Sequence, residues 1–301
     1  HIRSLYTSQG ANGLYYHDAS LANGAGDNSY RYSGADPDNY VCFGSNESPC
    51  PTDNLYRIIG VFGNKVKLIK YDYATSNLLG TDGDYYGSAT PNASYYKGSL
   101  TSINRYYWNN STDKNTWSES EQNKTNLNTN FITNIGTEWA NKIATSTWKV
   151  GGNTYENISH SVPATAYQNE IVNQVTTNTT DNATEYSAKI GLMYASDYGF
   201  AADPSAWTTT LYNYGGSVNG SRIRSLNWMY MGGFNEWTIS RGADYSTYAF
   251  EVSNEGAVMY YHVHGKGADG NFGVRPSFNL ESSVTYVSGS GSADDPIRIA
   301  D

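Results

Sequence analysis

Charge is scarce in this chain. Only 16% of its 301 residues are charged, and 19 basic residues face 28 acidic ones, a formal net charge of −9. No run of Lys or Arg offsets that balance, which argues against nucleic acid and against anionic membrane surfaces as partners. Met is nearly absent and Leu is sparse, so a helical protein is disfavoured. No stretch approaches the ~18 consecutive apolar residues of a membrane span. No signal peptide is present either, and the chain opens at His1-Ile2-Arg3-Ser4 without a Met. A trimmed ectodomain lacking its export or anchor segment is the expectation.

Catalytic signatures are missing too. There is no G-x-S-x-G, no H-E-x-x-H, no phosphate-binding Gly loop and no Cys beside a His. Acidic pairs such as Asp82/Asp84 carry no glycosidase specificity and read as turn residues, as do Asp294 and Asp295. The expectation is a protein that is not an enzyme and uses no cofactor. Of five His, only His262 and His264 share a strand face where two imidazoles could meet a metal, and no sequence-adjacent third ligand accompanies them. No metal site is assigned.

Two cysteines occur, Cys42 and Cys50, on a short loop bearing Gly44 and Pro49. They read as a local disulfide formed in an oxidising compartment. Two free thiols or half of a metal site are the alternatives.

What the chain does have is 28 Tyr and 30 Gly, with abundant Asn, Ser and Thr. That mixture favours short strands joined by many turns. Residues 1 to 35 read as a loop-rich segment packed on a single domain of residues 36 to 301. Asn39–Phe43 is an expected strand. Leu55–Phe62 and Lys65–Tyr73 flank Gly63-Asn64, a two-residue hairpin signal; Lys65, Lys67 and Lys70 would line its solvated side. Residues 74 to 117 look irregular and packed by aromatics. Leu127, Phe131, Ile135, Trp139 and Ile143 recur every four residues, one apolar helix face that Gly136 could interrupt. A second short helix is expected over Thr165–Val172. Strands return at Ala188–Tyr194, followed by a turn at Asp197–Gly199. The fold class is α+β, with short twisted antiparallel strands, two helices and long loops.

The stretch from Leu226 to Leu280 alternates apolar pieces with polar, aromatic ones. Phe250, Val252, Val258 and Val263 read as supports. Val258 and Val263 have opposite parity, so burying both on one strand calls for a bulge between them. Gly256 suits a turn with positive φ. Glu251, Ser253, Asn254, Glu255, Tyr260, Tyr261, His262 and His264 would then be displayed. Tyr offers a large contact area, a polar tip and few rotors, which suits a binding surface. A Tyr-rich chain also carries Tyr everywhere, so composition leaves both readings open.

Several pieces resemble a known family. Trp237-Thr238-Ile239-Ser240-Arg241, then Ala249-Phe250-x-Val252-x-x-x-Gly256-x-Val258, then Gly273-Val274-Arg275-Pro276-Ser277-Phe278 and the closing Gly291-Ser292-x-x-Asp295-Pro296-Ile297-Arg298-Ile299 are similar to variable proteins of bacterial diversity-generating retroelements, which have a C-type lectin fold. The likeness is strongest over residues 187 to 299. It implies a C-type-lectin-like domain whose region at about 242 to 272 is rewritten at template adenines. The residues implied as ligand-binding are Tyr245, Tyr248, Glu251, Ser253, Asn254, Glu255, Ala257, Met259, Tyr260, Tyr261, His262, His264, Asp269, Asn271 and Phe272. The resemblance further implies an adhesin- or receptor-like role on the bacterial cell surface, a protein or glycan as partner, and a pilin-like or membrane anchor. A structural pilus subunit and a glycan-binding accessory module are the alternatives.

Overall fold

A computed structural model of the chain describes residues 1–174, 183–264 and 270–300. It is an α+β structure with several antiparallel sheets. The Gly63-Asn64 turn closes a hairpin between Leu55–Phe62 and Lys65–Lys70, with Phe62 opposite Lys65. This hairpin forms the centre of the largest sheet. Tyr30–Tyr32 and then Leu14–Tyr16 extend it on one side, and Ser277–Leu280 and then Ile190–Gly191 on the other. Residues 1 to 35 thus supply two strands of the sheet rather than a segment laid upon it.

The lysine side of the hairpin is largely not solvated, with only Lys65 half-exposed. Both faces of this central strand are covered, and Lys67 and Lys70 are buried. Lys67 Nζ lies 2.5 Å from the Asp197 carboxylate and over the Tyr194 ring, and Asp197 also pairs with the buried Arg31. Asp197 Oδ2 accepts from the Tyr194 amide as well, capping the helix Ala195–Ala201. That helix occupies the place expected for a turn at Asp197–Gly199. One carboxylate therefore ties the first strands, the central hairpin and this helix together. Beside it the buried Glu170 accepts from the amides of Ala195 and Ser196 and from the Ser240 hydroxyl. Burial pushes its pKa up to about 7.

The four-residue apolar recurrence marks a real helical region, differently built. Gln122–Phe131 winds in wide π turns and Ile132–Asn134 closes in an α turn; Gly136, at φ 81°, breaks the run before Thr137–Asn141. Leu127, Phe131 and Trp139 enter the core, Ile135 is half-buried, and Ile143 lies on a strand against Leu280. Pro163–Tyr167 and Gln168–Val172 form the second helical piece, but Val172 is exposed where an apolar face was expected. The helix Ser217–Ser225 was not anticipated. Within 74 to 117, Tyr85–Ala89 and Ile103–Tyr107 pair as strands, and Asn271–Phe272 joins them.

Cys42 and Cys50 are bonded to each other. The strand Tyr40–Cys42 meets the end of the chain through a parallel bridge from Val41 to Ile297.

Candidate binding surface

The second sheet carries the stretch singled out in the sequence. Glu236–Gly242, Tyr248–Val252 and Val258–His262 run antiparallel in order. Glu236 is anchored from below by the buried Arg275, whose Nε and Nη2 reach its two carboxylate oxygens at 2.6 and 2.9 Å. The hairpin ladder pairs Tyr248 with His262, Phe250 with Tyr260 and Val252 with Val258, without a register shift. No bulge separates Val258 from His262. The supports Phe250, Val252, Val258 and Val263 are nevertheless all buried. Depth here changes along the strands more than across them. The strand residues flanking the turn, 249–253 and 256–258, are sunk into the core, the turn tip at Asn254 and Glu255 is exposed, and the Tyr248/His262 end emerges.

This gradient corrects the expected display. Glu251, Ser253, Ala257, His264, Asn271 and Phe272 are buried, not exposed. Glu251 is 2% accessible, its Oε2 lacks a hydrogen-bond partner, and burial raises its pKa well above the usual carboxylate range. Ser253 closes the turn through its hydroxyl, which accepts from the Ala257 amide at 3.0 Å. His264 Nε2 lies 2.6 Å from Asp113, whereas His262 Nε2 faces the Tyr248 hydroxyl at 2.9 Å. The two imidazoles thus serve different partners. Among the described residues no group of three or more His, Cys, Asp or Glu is placed to hold a metal ion. Asp269 lies outside the described residues.

What emerges is an aromatic belt. Tyr260 stacks on Tyr155 with ring centres 4.4 Å apart and touches Tyr248 at 4.7 Å. Tyr245, 54% exposed, packs at 5.3 Å from Tyr248, and His262 at 4.2 Å. From Tyr155 the belt continues to His160 and then to Tyr212, where the rings stack at 5.0 Å. Tyr155, His160 and Tyr212 had no sequence signal, because they come from other segments. Met259 and Tyr261 point to the opposite face of the hairpin and are half-buried. Tyr261 meets Phe272 edge-on and, with Asn254, lines a separate cleft of about 350 Å³. Asn254 and Glu255 are exposed on the turn, at the other end of the ladder from Tyr248. The candidate residues therefore divide into a belt, a turn and a cleft rather than one continuous face.

Beyond its buried side chains, the hairpin is gripped by its main chain. The buried Asn115 directs its Nδ2 at the carbonyls of Gly242, Tyr245 and Tyr248, at 2.7, 3.0 and 2.6 Å. Its own amide donates to the Ser246 carbonyl at 2.7 Å. At the turn, Tyr230 Oη, Arg224 Nη1 and Tyr198 Oη donate in succession to the carbonyls of Asn254, Glu255 and Gly256. Gly256 has φ 88°, and a Cβ there would come within 2.9 Å of the Arg224 side chain. Thr238 Oγ1 donates to the Phe250 carbonyl in the middle. Each of these donors lies outside residues 242 to 272.

No family model, curated protein or solved structure matches the chain. The fold and the surface stand on their own geometry.

Proposed function

We propose that this chain is a surface-displayed, adhesin- or receptor-like binding protein with a C-type-lectin-like domain, and that its contact residues within 242 to 272 are diversified by retroelement mutagenesis. One observation carries the reading. Donors outside the segment grip main-chain carbonyls of Gly242, Tyr245, Tyr248 and Asn254–Gly256, while the Tyr245, Tyr248, Tyr260 and His262 side chains form the emergent belt. A site whose side chains are rewritten must keep its backbone shape whatever residue is written there, and main-chain acceptors meet that need. Rigid Tyr rings give contact area at low entropic cost. The disulfide accords with an oxidising, extracellular setting.

The test is a comparison of sibling gene copies at the nucleotide level. Adenine-derived differences should concentrate at Tyr245, Tyr248, Tyr260, Tyr261 and His262, with Asn115, Tyr198, Arg224 and Tyr230 constant. Differences spread evenly along the chain would sink the diversification reading and leave a structural subunit of a surface fibre as the better account.

A further inference from the structure

Arg105 is a cation set at the wall of a cleft. It lies on Ile103–Tyr107, the middle strand of the small sheet and outside the 242–272 segment, yet it lines the cleft that Tyr261 and Asn254 share with Phe234 and Asn235. Its guanidinium lies over the Tyr86 ring at 4.6 Å and within 5.7 Å of the Phe234 ring centre. Among the described residues its guanidinium donates from Nη2 to the Ser88 carbonyl at 3.3 Å, and its Nε is buried without a partner. Although acids outnumber bases in the chain, no carboxylate among the described residues is within ion-pair distance of it.

We propose that this cleft is a carboxylate-binding subsite with Arg105 as its fixed anchor. The proposal rests on the reading of the hairpin as a binding surface and names the chemistry of what binds. A guanidinium surrounded by water has little need of an anion. One held against rings at a cleft wall has lost part of its hydration, and its planar fork is already oriented, so a planar carboxylate gains most there. At about 350 Å³ the cleft is near the small end of ligand pockets, room for an acidic side chain and its immediate neighbours. The carboxylate comes either from an Asp or Glu of a polypeptide or from a small free acid. Tyr261 beside it would set which neighbours are accepted, so a constant charged contact and a changeable specificity contact share one cleft.

The experiment follows the arginine Nε–H signals of the full ¹⁵N-labelled chain by NMR at constant chloride. The probes are acetyl-Gly-Asp-Gly-amide, its Asn counterpart and sodium acetate. The Arg105 signal, assigned by its loss in Arg105→Gln, should move saturably with the Asp peptide and at least about tenfold more weakly with the Asn peptide. Arg105→Lys, which keeps the charge and loses the fork, should also weaken the Asp peptide about tenfold, as read from the shifts of neighbouring backbone amides. Thermal melts of both variants establish that they are folded. Tighter binding of the Asp peptide than of acetate assigns the carboxylate to a polypeptide, and equal binding assigns it to a small acid. Equal affinity for the Asp and Asn peptides, undiminished binding by Arg105→Gln, or no saturable shift would each overturn the proposal. None of those results touches the Tyr245–Tyr248–Tyr260 belt, whose own test is the pattern of variation among sibling genes.

Discussion

Consider Val258→Ser beside Tyr260→Ser, two changes two residues apart on one strand and one face. Val258 is fully buried opposite Val252. Its replacement removes about two methyl groups from the core, about 1.5 kcal/mol by transfer. It also leaves a hydroxyl to be buried, about 1–3 kcal/mol where no partner is found. A loss of about 3–4 kcal/mol is expected. Tyr260 is half-buried, and its principal partner is the stacked Tyr155 ring, with Tyr248 and Phe250 nearby. An aromatic pair contributes about 0.5–1.5 kcal/mol beyond its area, so Tyr260→Ser should cost about 1–2 kcal/mol. That exceeds what a freely displayed side chain would cost, because the belt rings lean on one another. Tyr245→Ser, at the exposed end, should stay within about 0.5 kcal/mol. Urea denaturation of the three variants beside the parent measures all of this. If Tyr260→Ser proves as damaging as Val258→Ser, the belt is core and the separation of support from display is wrong.

Asp197→Asn should destabilise the chain by about 3–5 kcal/mol in the same assay, since it strands the buried Lys67 and leaves the buried Arg31 with Asp27 alone; a loss under about 1 kcal/mol would show that the network does not tie the sheet to its helix. Glu170 has a folded-state pKa raised to about 7 by burial, so its contribution is full below about pH 4.5 and is lost as pH rises through 7. Glu170→Gln should therefore flatten the decline in stability between about pH 4.5 and 7, and an unchanged slope would assign that decline elsewhere. Opening the disulfide by Cys42→Ser/Cys50→Ser should cost about 2.5 kcal/mol in the chain-entropy picture, and peptide mass spectrometry of the unreduced parent should show the bridged pair. Asn115→Ala should raise hydrogen exchange at residues 245 to 248 while leaving Val258 protected, and uniform exchange across the hairpin would refute a local grip.

The sequence was most legible where local chemistry decides. Gly63-Asn64 between apolar arms marked its hairpin, and the short Cys loop marked its bridge. The recurrence of Leu127, Phe131 and Trp139 located a helical core face, although the spacing did not reveal that the turns are π-wound. Parity failed where both faces of a strand are covered. Lys67 looks solvent-facing beside Val66 and Leu68 until Asp197, 130 residues away, arrives beneath it. Glu251 failed likewise, because residues 249 to 253 are buried on both faces of their strand. The grips on the hairpin had no sequence signal at all. Their acceptors are carbonyls, which every residue has, and Asn115 lies 127 residues from Gly242.

That placement of Asn115 bears on how the protein can change over generations. Mutations usually travel in pairs when one side chain depends on another: a change at one position waits for permission from its neighbour. At Tyr245, Ser246 and Tyr248 the acceptors are peptide carbonyls, which survive every substitution at those positions. As far as the backbone is concerned, positions held in this way can vary with little regard to one another. The accessible repertoire then grows as a product over positions rather than a sum, and a lineage can explore it in single steps without first losing the fold.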